Sequence, residues 1–111
     1  MMALSGMMSL NLDKELTTDG TTLDYSVPLT GFPDGAVLDV VVSLTTSDVQ
    51  NCSYRLTVHK HNNIGGKVSV TSDYSYGGLS MKFNATFTTL TITLNANVVG
   101  NLKISVVHLN V

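Results

Sequence analysis

Two tyrosines in the second half of the chain have the residue type and spacing that suit sugar binding. Tyr74 and Tyr76 are separated by one residue, and Asp73 precedes them. Aromatic faces can stack on sugar rings, and planar polar groups can hydrogen-bond sugar hydroxyls. Arg55, the single arginine, could hold a saccharide carboxylate through two parallel hydrogen bonds or pair with a neighbouring subunit. These four residues form the candidate glycan site; the alternative is that the tyrosines only pack at strand ends.

A second pattern, His59-Lys60-His61, has the spacing of a metal-binding pair. Alternate residues of a β-strand face the same way, so the imidazoles of His59 and His61 could approach one ion. Two ligands are too few for a site in one chain, although a threefold axis would bring six together, as in the His-x-His sites of trimeric phage tail needles. The neighbouring asparagines and glycines favour two exposed residues at a strand end, with no metal and no other cofactor.

The sequence carries no motif for catalysis. Glu15 is the only glutamate, and none of the aspartates belongs to a recognisable pair of catalytic carboxylates. A Gly-x-Ser-x-Gly elbow is missing, and the Gly-Gly pairs at 65–66 and 77–78 lie between predicted strands, where turns explain them. Six basic residues against eight acidic ones, without a basic cluster, make nucleic acid a poor partner. We therefore expect a binding or structural protein and not an enzyme.

The elements that must position these residues are β-strands. From residue 23 onward, apolar and polar residues alternate with period two, and no window carries a helical stripe with caps at both ends. Turn residues interrupt the alternation at 31–35, 62–66, 75–78 and 97–101. With a weak first strand near 8–12, the sequence predicts about eight short strands, arranged as an antiparallel β-sandwich of the jelly-roll type.

Three local features give further expectations about the sandwich. Pro28 indicates an edge strand or a strand end, because proline cannot donate a ladder hydrogen bond. The alternation slips at Thr88 and Thr89, which favours a turn over a bulge. Cys52 is the only cysteine, so the chain cannot form an internal disulfide, and we expect the thiol in the core.

A chain of 111 residues is long enough for one domain. We divide it into a connecting or trimer-packing segment, residues 1–12, and a single β-sandwich domain, residues 13–111. The N-terminal apolar stretch has no preceding lysine or arginine and is too short to cross a bilayer. We therefore expect neither a signal peptide nor membrane insertion.

The C-terminal strand is apolar on both faces, and an exposed apolar edge invites pairing with another chain. Only 13% of the residues are charged, against about 25% in average domains, which suggests that part of the surface is covered by other subunits. We therefore predict a homo-oligomer. Its candidate contacts are Phe32, Val106, Val107, Leu109 and Val111.

Asp-Gly turns and threonine-rich strands recur in residues 18–23, 31–35 and 84–92, and the C-terminus is rich in valine. In these features the chain resembles the C-terminal domain of a bacteriophage tail fibre or tailspike. The resemblance covers most of the chain from about residue 10. It implies a homotrimeric β-sandwich on the virion, outside the cell, that locks the trimer of a larger fibre and has a host-surface polysaccharide as its candidate ligand.

Two other classes of protein stay open. A stand-alone carbohydrate-binding module or an immunoglobulin-like adhesin domain would be a monomer, and it would bury Phe32 and the C-terminal apolar rows within its own chain. A trimer would cover them only on assembly. A hydrolase would need a pocket with at least two facing acids.

Overall fold

The computed structural model describes residues 11–62 and 64–111, which form eight strands in two antiparallel sheets. The strands are β1 (Asn11–Thr17), β2 (Asp24–Pro28), β3 (Val37–Thr46), β4 (Asn51–His61), β5 (Gly65–Tyr76), β6 (Met81–Ala85), β7 (Thr89–Leu94) and β8 (Gly100–His108). The five-stranded sheet has the order β1-β8-β3-β4-β5, and the three-stranded sheet has the order β2-β7-β6. The prediction of an all-β fold with about eight antiparallel strands is confirmed.

One core lies between the two sheets, because period-two alternation turns every second side chain inward. The five-stranded sheet contributes the inward rows of β3, β4 and β8, and the three-stranded sheet contributes those of β2 and β7. Cys52 is buried in this core, as expected, and burial raises the pKa of its thiol to about 11. The cysteine is therefore an apolar packing residue at neutral pH.

Both local expectations about turns and edges are confirmed. Pro28 ends β2, which is an edge strand of the three-stranded sheet. The slip in the alternation is the turn between β6 and β7. Thr86 Oγ1 closes this turn by accepting hydrogen bonds from the backbone N–H groups of Thr88 and Thr89, at 3.3 and 3.1 Å. The hydroxyl of Thr86 thus stabilises a turn that lacks the usual glycine.

Two of the predicted subunit contacts lie inside the core and not on the surface. Phe32 is only 6% exposed, and Val106 is fully buried within the single chain. The loop after β2 folds back over one end of the sandwich, where the Phe32 ring packs edge-on to His108 with 5.8 Å between ring centroids. Both side chains are buried by their own chain and leave little or no surface for a second subunit, which corrects the expectation for these two residues.

The predicted connecting segment, residues 1–12, lies outside the described residues except at its last two positions. β1 begins at Asn11 and pairs with β8 along its whole length, ending with Thr17 opposite Asn101. The first strand, predicted near residues 8–12, therefore shares only residues 11 and 12 with β1. The part of the chain that the structure describes contains no helix of the length and apolarity needed to cross a membrane.

Candidate functional site

A bulge in β5 determines which way the candidate tyrosines point. Val70 lies opposite buried Leu56, and the register then shifts, so that Thr71 has no partner on β4. An extra residue reverses the alternation of a strand. Tyr74 and Tyr76 therefore face away from the core, although period two counted from Val70 would turn them inward. Both tyrosine residues are more than half exposed, at 56% and 57%.

Strand register places two rows of side chains across the outer face of the five-stranded sheet, the side turned away from the core. Residues directly opposite each other in a ladder share a face. The first row is Tyr76, Asn51, Thr45, Asn101 and Thr17, and the second is Tyr74, Ser53, Ser43, Lys103 and Glu15. We call these ten residues the polar shelf. Since neighbouring strands are about 4.8 Å apart, each row spans about 19 Å.

The end of the polar shelf that lies away from the tyrosines opens into a shallow groove of about 600 Å³. Its lining is rich in hydroxyl groups: Thr17, Ser43, Thr45, Thr46, Ser47, Val99, Gly100, Asn101 and Lys103. The side-chain amide of Asn101 is oriented here, because its Nδ2 donates a hydrogen bond of 2.9 Å to Glu15 Oε2. Hydroxyls and amides both donate and accept hydrogen bonds, which suits a ligand that carries many hydroxyl groups.

The other two residues of the predicted glycan site are not available beside the tyrosines. Asp73 lies opposite Tyr54 and therefore on the other face of the sheet from Tyr74. Arg55 lies on the outer face, but its Nε and Nη2 donate hydrogen bonds of 3.0 and 2.7 Å to the two carboxylate oxygens of Asp39. The guanidinium is thus paired within its own chain. Of the four predicted residues, the structure brings the two tyrosines together on the polar shelf.

The Asp39–Arg55 ion pair should make the free energy of unfolding decrease in acid. Hydrogen bonds from Arg55 lower the pKa of Asp39 below its ordinary value of 3.8, so the pair stabilises the folded chain above that pH. This contribution is lost as the pH falls through the lowered pKa of Asp39 in the folded chain. Because Arg55 is largely exposed and solvent screens the pair, we expect this contribution to be small.

Urea unfolding of Asp39→Asn between about pH 2 and pH 5 measures this contribution, since the substitution removes the titrating group. The variant should lose less stability on acidification than the wild-type protein. Arg55→Gln should reproduce the same flattening, because it removes the partner that lowers the pKa. Wild-type acid dependence in both variants would contradict the assignment.

His59 and His61 are exposed and lie on the same face of β4, at its last residues. They border a shallow depression together with Ile64 and Lys67. Within residues 11–62 and 64–111, no three or more histidine, cysteine, aspartate or glutamate side chains are grouped so that they could hold a metal ion. The two histidines lie at the end of β4, just before the segment that leads to β5.

Lys60, between the two histidines, is the important residue that sequence reasoning missed. It is only 3% exposed, and its Nζ donates hydrogen bonds of 2.6 Å to the carbonyl oxygens of Leu29 and Phe32. The ammonium also lies 4.5 Å from the centre of the Phe87 ring. Burial lowers the pKa of Lys60. The signal was its position in the inward row of β4, which continues Cys52, Tyr54, Leu56 and Val58.

The C-terminal residues are fixed in place but leave apolar side chains exposed. Asn110 Oδ1 accepts a hydrogen bond of 2.7 Å from Val37 N, and its Nδ2 donates one of 2.9 Å to Gly35 O. Leu109 and Val111 remain 57% and 55% exposed. Val107 lies half-buried on the outer face, opposite Asp39. These three predicted subunit contacts therefore keep accessible surface.

The fold and the site together define an antiparallel β-sandwich domain with an exposed polar shelf. No family model matches the chain, and no curated protein matches it. A similar solved structure is the tailspike protein of Acinetobacter phage vB_ApiP_P1, with 12% sequence identity and a TM-score of 0.51. The match covers 85% of this chain and 20% of the tailspike, so the chain spans about one fifth of that protein. At this identity the likeness shows a shared fold.

Proposed function

We propose that this chain is a non-catalytic domain of a phage tail fibre or tailspike, on the virion, and that its polar shelf binds a glycan of the host-cell surface. The observation that carries the proposal is the exposure of Tyr74 and Tyr76 at the edge of a face made of hydroxyl and amide side chains. The shared fold with a phage tailspike supports the setting.

Carbohydrate recognition needs two kinds of surface, and the polar shelf supplies both. The apolar face of a sugar ring can be covered by an aromatic ring, and an exposed tyrosine loses little freedom on binding because it has only two side-chain torsions. Sugar hydroxyls need donors and acceptors in known positions. Here Asn51 and Ser53 lie directly beside the tyrosines on the neighbouring strand.

The test of glycan binding is an array of bacterial capsular and O-antigen polysaccharides probed with the labelled 111-residue chain. We expect selective binding to one or a few of them. The same array probed with the thermally unfolded chain controls for adhesion that needs no folded site. Failure of the folded protein to bind any polysaccharide would contradict the proposed ligand class.

We also propose that the domain forms a homotrimer through Leu109, Val111 and Val107. The support is the fixed C-terminal segment with its exposed apolar side chains, together with the low charge of the chain. The burial of Phe32 and Val106 within one chain instead favours a second candidate, a monomeric carbohydrate-binding module. The two candidates share the glycan site and differ in mass.

Light scattering on a size-exclusion column separates these two candidates. The trimer predicts three times 11.8 kDa for the wild-type protein. Leu109→Asp should then give a folded monomer, because an unpaired charge in an apolar contact costs several kcal/mol at each of the symmetric copies. Val49→Asp is the matched control, since Val49 is an exposed valine in the turn at the far end of β3. A wild-type monomer would contradict the trimer.

A further inference from the structure

We infer that the polar shelf takes an extended, uncharged oligosaccharide that lies across the strands, from the tyrosines to a second contact region at Thr45 and Asn101. This inference rests on the proposed function, and it names the class of glycan and the residues that select its length. It follows from the strand register, from the groove and from the charges of the shelf.

The register separates the tyrosines from the groove. Tyr76 is on β5, while Thr45 and Asn101 are on β3 and β8, two and three strands away. At about 4.8 Å per strand, this separation is about 10 to 14 Å. One sugar ring stacked on Tyr76 reaches only the neighbouring strand. A ligand that contacts both regions must therefore contain several linked sugars.

The far region is built to contact such a ligand. The hydrogen bond from Asn101 Nδ2 to Glu15 orients the amide, and the carbonyl oxygen of Asn101 can still accept a sugar hydroxyl. Thr45 lies opposite Asn101 and is exposed, so its hydroxyl can donate and accept at the same place. A contact region whose polar groups are held before binding loses less free energy to ordering.

The charges of the shelf favour an uncharged ligand. Lys103 and Glu15 lie directly opposite each other in one row, so their charges offset. The other row, which contains Asn101 and Thr45, has no charged side chain. Arg55 is outside the shelf and is already bound to Asp39 at both carboxylate oxygens. The shelf therefore lacks the unpaired guanidinium that selects a carboxylate or phosphate group.

The experiment is a chain-length series made by partial hydrolysis of each polysaccharide that binds on the array. Affinities for fragments of one to six sugars are measured by calorimetry. For the wild-type protein we expect affinity to rise by tenfold or more between one and about four sugars, since about 19 Å of shelf is then covered. Thr45→Val with Asn101→Ala should abolish this rise and leave the affinity for the shortest fragments unchanged.

Thr57→Val is the matched control, because Thr57 lies on the outer face of β4 but outside the polar shelf. The control should keep the full gain with length. Affinity that does not depend on length, or a full gain in the Thr45 and Asn101 double variant, would overturn the inference while glycan binding itself stands. Tighter binding of acidic than of neutral polysaccharides would also overturn it. Failure of every polysaccharide to bind would instead remove the proposed function.

Discussion

Replacing Lys60 by methionine is expected to lower the free energy of unfolding by about 3 kcal/mol, because it removes a buried hydrogen-bonding group. The ammonium of Lys60 ties the loop after β2 to the end of β4 through two carbonyl oxygens. In the variant, the carbonyl of Phe32 loses this donor, and that of Leu29 keeps only the backbone N–H of Phe32, at 3.1 Å. The apolar methionine offsets part of the loss, since a charge no longer has to be desolvated.

Urea denaturation followed by circular dichroism measures the effect of Lys60→Met, and Lys67→Met is the matched control. Lys67 is exposed on the outer face of β5, opposite His59 in the same hairpin. The control should change the free energy of unfolding by less than about 0.5 kcal/mol. Equal stabilities of the Lys60 and Lys67 variants would show that the buried hydrogen bonds do not hold the loop.

Substituting alanine for both Tyr74 and Tyr76 is expected to weaken glycan binding by at least about tenfold, because each ring supplies stacking area at the edge of the shelf. Both side chains are exposed, so the variant should keep its fold and most of its stability. Binding is measured by calorimetry with a polysaccharide that the array identifies. Circular dichroism confirms the fold.

Asp73→Asn is the control for the tyrosine variant. Asp73 is adjacent to Tyr74 in the chain but lies on the opposite face of the sheet, so its substitution should leave glycan affinity within about twofold. Wild-type affinity in the tyrosine double variant would show that the two rings do not contribute to glycan binding. An equal loss in Asp73→Asn would place the ligand on the other face.

The strands from β2 onward were predictable because each one carries its own signal, whereas β1, expected near residues 8–12, lies at Asn11–Thr17. Half-buried antiparallel strands alternate inward and outward side chains, and the inward rows of β3 and β4 are apolar except at their last members, Thr46 and Lys60. Pro28 indicated that β2 is an edge strand or ends at this residue, because a residue without an N–H group fits a sheet only at such positions. Such signals are local, so the sequence is sufficient to show them.

Features that depend on how strands meet were not predictable. The bulge at Thr71 exists only in the pairing of β5 with β4, and it decides that Tyr74 faces outward and Asp73 faces the core side of the sheet. The pairing of Arg55 with Asp39 depends on the register between β3 and β4. Strand register is set by contacts distant in sequence, so the composition of the candidate site could be predicted only in part.

The most direct test of the proposed site is a titration of the ¹⁵N-labelled protein with a fragment of about four sugars, followed by NMR chemical-shift mapping. We predict shifts for backbone and side-chain amides along the polar shelf, above all those of Asn51, Tyr76 and Asn101. The amides around Asp24 and Ser26, on the three-stranded sheet, should stay unchanged. Shifts confined to that sheet, or to the loops at the C-terminal end of β4, would contradict glycan binding by the polar shelf.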